Sequence, residues 1–186
     1  MTRIAIFASG SGSNAENIIL HFRENKGVEV ALVLSNKSDA FVLERAEKYS
    51  IPTLVFTHDE LKNSSKVVDA LKECNVSIVV LAGFLLKIPE YMIRSYPNAI
   101  VNIHPALLPN YGGKGMYGMN VHRAVVENKE RKSGITIHYV NEHYDAGAII
   151  FQATCDIDAD DSPEVVQKKV QELEAIHFPK IIESII

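Results

Sequence analysis

The stretch Arg3-Ile4-Ala5-Ile6-Phe7-Ala8-Ser9-Gly10-Ser11-Gly12-Ser13-Asn14 decides the fold of this chain. Its apolar part, Ile4–Ala8, is short and continuous, which is typical of a strand that is buried on both faces. Two glycines then interrupt the run, and a helical pattern follows them. A buried strand, a glycine turn and a helix in this order predict the opening of a parallel α/β sheet.

The next part of the chain repeats this alternation of short apolar runs and amphipathic stretches. Because the connections are short, we predict an α/β fold with a single open, mostly parallel, twisted sheet and helices on both faces. The predicted parallel strands are Ile4–Ala8, Val30–Leu34, Leu54–Phe56, Ile78–Leu81 and Ile100–Ile103. The helices predicted between them are Ala15–Asn25, Phe41–Tyr49 and Leu61–Cys74.

The C-terminal half departs from this pattern. Two apolar runs, Ile135–Val140 and Ala148–Ala153, are joined by one turn, which predicts a pair of antiparallel strands. A last helix is predicted from position 161 or 162, where a proline and a glutamate suit a helix N-terminus. We expect this helix to run toward His177 and Pro179 to kink or interrupt it.

Composition narrows the class of protein. The chain has 186 residues, of which 47% are hydrophobic, and this predicts one domain over residues 1–186. A net charge of -4 gives no basic field for nucleic acid or an anionic membrane. The two cysteines, Cys74 and Cys155, indicate a reducing compartment, and no signal peptide or membrane span is found, so we expect a cytoplasmic protein.

The segment Gly10–Asn14 connects the first strand to the first helix. Glycines in such a turn let an anion approach backbone N–H groups, and the helix N-terminus favours negative charge. A nicotinamide dinucleotide is excluded, because the second strand ends in Leu34-Ser35-Asn36-Lys37 without the acidic residue that a ribose needs. We expect a phosphomonoester at Gly12, Ser13 and Asn14; the alternative is a structural turn that binds nothing.

The segment Asn102-Ile103-His104-Pro105 ends the fifth predicted strand, where open α/β sheets bind their ligands. Alternation along the strand directs Asn102 and His104 to the same side. An amide donor beside an imidazole is suited to stabilising an oxyanion while a proton moves. The alternative is that both side chains are purely structural.

The turn His143-Tyr144-Asp145-Ala146-Gly147 adds a carboxylate. Aspartate and glycine are ordinary turn residues, so a structural role alone accounts for them. The functional interpretation is that the loop closes over the strand end, where Asp145 stabilises the imidazolium of His104 and accepts a proton. The four histidines that suggest a metal have spacings that match no standard site, with no cysteine nearby, and we expect no metal there: His104, His122, His138 and His143.

Taken together, these segments resemble the phosphoribosylglycinamide formyltransferases, a family of folate-dependent formyltransferases. The resemblance covers nearly the whole chain. Its most specific segment is Asn102-Ile103-His104-Pro105-Ala106-Leu107-Leu108-Pro109, which formyltetrahydrofolate hydrolases and, more loosely, methionyl-tRNA formyltransferases share. The glycine loop narrows the match, because in the ribonucleotide enzymes it cradles the substrate phosphate. Further matching segments are Ser35-Asn36-Lys37, Leu81-Ala82-Gly83-Phe84 and Asp145-Ala146-Gly147.

The resemblance implies a Rossmann-like formyltransferase fold and transfer of a formyl group from 10-formyltetrahydrofolate, the co-substrate, to the amine of glycinamide ribonucleotide in de novo purine biosynthesis. It implies that Asn102 and His104 stabilise a tetrahedral intermediate, that Asp145 assists proton transfer, and that Glu174 binds the ribonucleotide. Folate contacts are expected from a set of residues in two segments, with plain core packing as the alternative for its apolar members: Leu81, Phe84, Leu85, Leu86, Ile88, Val140, Asn141 and His143. The expected partners are the two substrates, with the chain as a monomer or homodimer.

Two departures from the family pattern affect these expectations. The glycine-rich loop at 112–119 is longer than in many members, and Leu86 stands where many members carry an arginine two residues after the phenylalanine. Three alternatives stay open: a hydrolase that passes the formyl group to water, transfer to an aminoacyl-tRNA, and a phosphate-binding module without chemistry. The acidic charge and the single domain disfavour the tRNA enzyme, and hydrolases usually carry an added N-terminal regulatory domain.

Overall fold

The computed structural model describes every residue from Met1 to Ile186. The strands are β1 (Thr2–Phe7), β2 (Val28–Ser35), β3 (Thr53–Val55), β4 (Ile78–Leu81), β5 (Ile100–His104), β6 (Lys132–Tyr139) and β7 (Ile149–Asp156). The helices are α1 (Ser13–Phe22), α2 (Phe41–Lys48), α3 (His58–Asn63), α4 (Lys66–Glu73), α5 (Glu90–Ser95), α6 (Met119–Glu127) and α7 (Pro163–Ser184).

The strands form one sheet in the order β3-β2-β1-β4-β5-β6-β7. Strand β1 pairs in parallel with both β2 and β4, and β2 pairs in parallel with β3. Strands β6 and β7 are antiparallel. The predicted α/β sheet, mostly parallel with antiparallel strands toward the C-terminal end, is therefore confirmed.

The chain divides within β5 into two compact units, Met1–Val101 with Ile186, and Asn102–Ile185. In the first unit the central strand β1 is fully buried from Ile4 to Phe7, as its continuous apolar run predicts. The ring of Phe7 packs edge-on against the ring of Phe84, with centroids 5.3 Å apart.

In the second unit the inward side chains of β6, Ile135 and Ile137, are fully buried. Helix α7 packs on β6, β7 and α6. It begins at Ser162, whose hydroxyl accepts a hydrogen bond from the backbone N–H of Val165. A serine N-cap followed by a proline is a common helix start, so the predicted N-terminus of this helix is confirmed.

Two helix predictions differ from the structure, and two helices were not predicted. The helix predicted at Leu61–Cys74 is two helices, because the Ser64 hydroxyl donates to the Glu60 carbonyl and accepts from the Lys66 N–H, which replaces helical hydrogen bonding. Helix α7 continues through Pro179 to its end at Ser184, so the alternative that Pro179 interrupts it is wrong, whereas the kink stays a prediction. A proline inside a helix costs about 3 kcal/mol, and the buried face of α7 on both sides of it offsets this cost. Helices α5 and α6 had not been predicted.

Candidate active site

The catalytic residues predicted from the sequence come together in the second unit through a fourth side chain, His138. The amide nitrogen Nδ2 of Asn102 lies 3.1 Å from Nε2 of His138. That Nε2 atom lies 3.7 Å from Oδ1 of Asp145, whose other oxygen, Oδ2, lies 3.6 Å from Nδ1 of His104. Strand β5 supplies the first and last of these residues, strand β6 supplies His138, and the turn before β7 supplies the carboxylate.

Hydrogen bonding fixes the tautomer of His138. Its Nδ1 lies 2.9 Å from the carbonyl oxygen of Tyr139, and because a carbonyl only accepts, Nδ1 carries the hydrogen. Burial, together with the charge of His104, lowers the pKa of His138, against the opposing effects of the Tyr139 bond and of Asp145. The neutral ring therefore presents the lone pair of Nε2, which accepts one of the two amide hydrogens of Asn102.

His104 is held by the backbone of the loop that follows β5. Its Nε2 lies 2.7 Å from the carbonyl oxygen of Tyr111, so Nε2 donates and the ring is anchored at that end. Only 4% of the residue is exposed. The nitrogen that remains, Nδ1, faces Oδ2 of Asp145 at 3.6 Å.

Tyr111 is itself fixed at both ends. Its φ of 57° lies in the left-handed region, which a bulky residue adopts only when its surroundings hold it there. Its hydroxyl donates to the carboxylate of Glu130 at 2.7 Å and accepts from the amide of Asn128 at 3.0 Å. The carbonyl that anchors His104 is therefore part of a rigid arrangement.

The same loop holds Asp145. The backbone N–H of Gly113 donates to Oδ2 of Asp145 at 2.9 Å. A Cβ atom at the preceding residue, Gly112, would lie 2.6 Å from Cδ2 of Leu108 and 3.2 Å from Cβ of Asp145. Glycine at position 112 therefore allows the loop to approach the carboxylate without displacing the side chain of Leu108.

A second buried histidine lies on α6. His122 is 3% exposed, and its Nδ1 has no hydrogen-bond partner. Burial, with a smaller contribution from the charge of His104, lowers the pKa of His122. The ring is therefore neutral at pH 7, and it adds no charge to the cluster.

The predicted phosphate residues lie at the start of α1, in the first unit. Gly12 is the N-cap, with φ 74° in the left-handed region, and its carbonyl accepts from the N–H of Glu16. A Cβ atom at Gly12 would lie 2.5 Å from Cβ of Val42. Ser13 and Asn14 form the first turn of the helix, where N–H groups have no acceptor within the helix.

The predicted folate residues fall into one group from each unit. In the first unit Leu81 and Ile88 are buried and Leu85 is 44% exposed. In the second unit Asn141 closes the turn before β7, since its amide donates to the Ala146 carbonyl and its oxygen accepts from the N–H of His143. The remaining members of the set are Phe84, Leu86 and Val140, all partly exposed. Glu174 lies on α7 and is partly exposed.

His138 and Tyr111 belong to the cluster but were not predicted for it. Sequence reasoning considered His138 only as a metal ligand, and it found no role for Tyr111. Their roles depend on which strand pairs with β5 and on the path of the loop, and neither has a local signal.

In the structure no group of three or more histidine, cysteine, aspartate or glutamate side chains is arranged to hold a metal ion, and no helix is long and apolar enough to cross a membrane.

Comparison with known proteins gives consistent matches over the whole chain. The family model of the formyl transferases matches residues 2–182. The chloroplastic phosphoribosylglycinamide formyltransferase of Arabidopsis thaliana is 41% identical over 191 aligned positions, which cover 98% of this chain and 65% of the plant protein. This chain therefore spans slightly less than two-thirds of that relative's length.

Two bacterial proteins match over more of their length. The phosphoribosylglycinamide formyltransferase of Bacillus subtilis (strain 168) is 34% identical, with 100% of this chain and 95% of the bacterial protein covered. The crystal structure of phosphoribosylglycinamide formyltransferase from Anaplasma phagocytophilum superimposes with a TM-score of 0.89 at 32% identity, covering 97% of this chain and 85% of that one. These similarities agree in both sequence and three-dimensional structure.

Proposed function

This chain belongs to the formyl transferase family, as its sequence predicted, and from that premise we propose that it transfers the formyl group of 10-formyltetrahydrofolate to the amine of glycinamide ribonucleotide, a step of purine biosynthesis. One observation carries the proposal. Asn102, His104 and Asp145, the residues that the family resemblance identifies as catalytic, are linked through His138 by contacts of 3.1 to 3.7 Å. An amide donor, an imidazole and a carboxylate within such reach are what acyl transfer to an amine requires.

Asn102 stabilises the charge that develops on the formyl oxygen. When the substrate amine attacks the formyl carbon, negative charge moves onto that oxygen. One amide hydrogen of Asn102 is already donated to His138, which fixes the plane of the amide. The second hydrogen is directed by the same plane and donates to the oxyanion, at no cost in reorganisation during the reaction.

His104 and Asp145 move the proton. The attacking amine must lose a proton, and the departing folate nitrogen must gain one. Because Nε2 of His104 is held by Tyr111, the exchange with Asp145 takes place at Nδ1, across the 3.6 Å separation. For His104 also to donate to the formyl oxygen, one of these two contacts must open when the substrates bind.

The substrates are bound by the other predicted residues. Backbone N–H groups at the start of α1 hold the phosphate, and Glu174 holds the ribonucleotide. Glycinamide ribonucleotide is bound by Gly12, Ser13, Asn14 and Glu174. The folate is bound by the larger set from both segments: Leu81, Phe84, Leu85, Leu86, Ile88, Val140, Asn141 and His143. No metal takes part. The family match over residues 2–182 supports one formyltransferase domain, and the two cysteines support a cytoplasmic location. We propose that the chain acts as a monomer or homodimer.

The test of this proposal is the dependence on the acceptor. Consumption of 10-formyltetrahydrofolate by the full chain is measured with and without glycinamide ribonucleotide, and formylated ribonucleotide is quantified as product. We expect consumption only with the ribonucleotide, with one product formed for each formyl group lost. Equal consumption without it, with formate released, would identify a hydrolase instead.

A further inference from the structure

Three successive carbonyl groups of the glycine turn are each bonded to a protein donor. The carbonyl of Gly10 accepts from the backbone N–H of Val42 at 3.2 Å. The carbonyl of Ser11 accepts from Nε of Arg45 at 2.8 Å. The carbonyl of Gly12 accepts from the N–H of Glu16 at 2.9 Å. The first two donors belong to α2 and the third to α1.

The directions of these carbonyl groups determine the directions of the N–H groups in the same peptide units. In a trans peptide unit, the N–H of one residue points opposite to the carbonyl of the residue before it. Since the carbonyls of Gly10 and Ser11 point at α2, the N–H groups of Ser11 and Gly12 point away from it. The N–H of Ser13 points out of the start of α1. Consecutive N–H groups turned in this way form an anion-binding concavity.

Arg45 is the only side chain among these donors, and it is itself restrained. Its guanidinium forms an ion pair with Glu16 and lies 4.9 Å from the centroid of the Phe41 ring. The Glu16 carboxylate is fixed in turn by the hydroxyl of Tyr49, at 3.0 Å. The positive charge of Arg45 is thus neutralised locally. Arg45 can therefore affect a bound ligand mainly through its hydrogen bond to the Ser11 carbonyl.

We propose that Arg45 is a positioning residue for phosphate, which orients the Ser11–Gly12 peptide so that its N–H faces the phosphate of the substrate. The inference rests on the proposed function, since it assumes that the glycine turn holds the phosphate. Arg45 acts through the backbone and does not contact the phosphate. Its loss lets the Ser11–Gly12 peptide rotate, and the concavity loses one donor.

Lys48 provides a matched control on the same helix. Its Nζ lies 3.6 Å from the same Glu16 carboxylate, but it makes no bond to the turn. Arg45→Met and Lys48→Met each remove one positive charge and keep an unbranched apolar stem. Arg45→Lys keeps the charge near Glu16 and removes the Nε donor, and it also serves as the milder variant for folding.

The experiment combines kinetics with a direct probe of the turn. For the full chain and the three variants, kcat and the KM of each substrate are measured, and inorganic phosphate is titrated while the ¹H–¹⁵N signals of Ser11, Gly12 and Ser13 are followed. We expect Arg45→Met and Arg45→Lys to raise the ribonucleotide KM about tenfold, the effect of losing one hydrogen bond to a charged group. We expect kcat and the folate KM to stay within about twofold, and Lys48→Met to match the wild type within about twofold.

The outcomes separate this inference from the proposed function. If phosphate fails to shift these signals in the wild type, the phosphate site itself is wrong. If it shifts them equally in the wild type and in Arg45→Met, the site stands and the positioning role is wrong. An equal rise of KM in Lys48→Met, or full retention of affinity in Arg45→Lys, would assign the effect to charge alone and overturn the proposal.

Discussion

The glycine turn at Gly10–Gly12 and the cluster around His104 differ in the kind of group, backbone or side chain, that is proposed to act on the substrate. In the turn, the groups proposed to bind the ligand are backbone N–H groups, and the side chains near it only hold the backbone in place. In the cluster, the groups proposed to react are side chains, and the backbone carbonyl of Tyr111 and the N–H of Gly113 hold them in place. Backbone groups bind a fixed charge, whereas imidazole and carboxylate exchange protons.

This difference predicts how each region fails. Damage to the turn weakens ground-state binding of the ribonucleotide and appears in KM. Damage to the cluster removes interactions made in the transition state and appears in kcat. If substitutions in both regions change KM and kcat equally, this distinction between a binding region and a catalytic region is wrong.

The largest effect is expected for His104→Ala, which removes the proposed proton carrier of the cluster. Turnover should fall by about 10³ or more, in the range for a group that transfers a proton in the transition state. Ribonucleotide affinity, measured separately by calorimetry, should be retained. His58→Ala, at an exposed position on α3, is the control for loss of a histidine. Near-normal turnover of His104→Ala would remove the centre of the proposed mechanism.

Asn102→Ala tests the oxyanion donor. It should cost roughly 10²–10³ in turnover, which is the range for losing one such donor. The effect should leave the affinity for the ribonucleotide unchanged, because the amide acts on a charge that exists only in the transition state. A rise in KM with kcat unchanged would instead make Asn102 a binding residue and weaken the contrast between the two regions.

Gly12→Ala tests the turn. Its Cβ would lie 2.5 Å from Cβ of Val42, at a φ of 74° that favours glycine, so the turn must move. We expect the ribonucleotide KM to rise by a factor of about 10 or more, as one or more phosphate bonds are lost, with kcat at saturation largely kept. Gly10→Ala is the matched variant, since a Cβ there meets nothing within 4 Å, and it should raise KM less. Equal effects of the two substitutions would argue against a geometric role for Gly12.

The two regions also differ in how far the sequence predicts them. The turn is local, so Gly10, Gly12 and the following helix were predicted together from adjacent residues. The cluster combines residues that lie far apart in the chain, and only Asn102 and His104 share a strand whose alternation predicts a common side. Asp145 was predicted from the turn that carries it, but the turn residues alone are equally well explained by structure, and the family resemblance favoured the catalytic role.

What sequence reasoning missed has a physical cause in each case. His138 reaches the cluster because β6 follows β5 in the sheet, and strand order has no signature in a single strand. The carbonyl of Tyr111 reaches His104 because the loop adopts a left-handed backbone at a tyrosine, which propensity does not predict. Arg45 is a partly exposed residue of a predicted helix, and its bond to Ser11 depends on how α2 packs beside the turn.

The smallest effect, and the one that separates the regions by chemistry alone, concerns the pH dependence of stability. Burial lowers the pKa of His138 below its usual value near 6.5, so the unfolded chain binds a proton before the folded chain does as the pH falls. This contribution to the free energy of unfolding is therefore fully present above pH 6.5 and is lost as the pH falls through the lowered value. The backbone groups of the turn do not titrate and add nothing to this slope.

His138→Gln removes the titrating group and keeps an acceptor for the amide of Asn102. The variant should be less stable than the wild type at pH 7, because the bond of Nδ1 to Tyr139 is lost and packing changes. Its free energy of unfolding should nevertheless fall less steeply between pH 7 and pH 5, measured by urea denaturation at each pH. Some slope should remain, since the buried His122 also has a lowered pKa. His58→Gln, at an exposed site, is the control and should keep the wild-type slope. If the free energy of unfolding of His138→Gln falls with pH as steeply as that of the wild type, His138 is not buried in its neutral form. Its Nε2 would then have no lone pair to accept the amide hydrogen of Asn102.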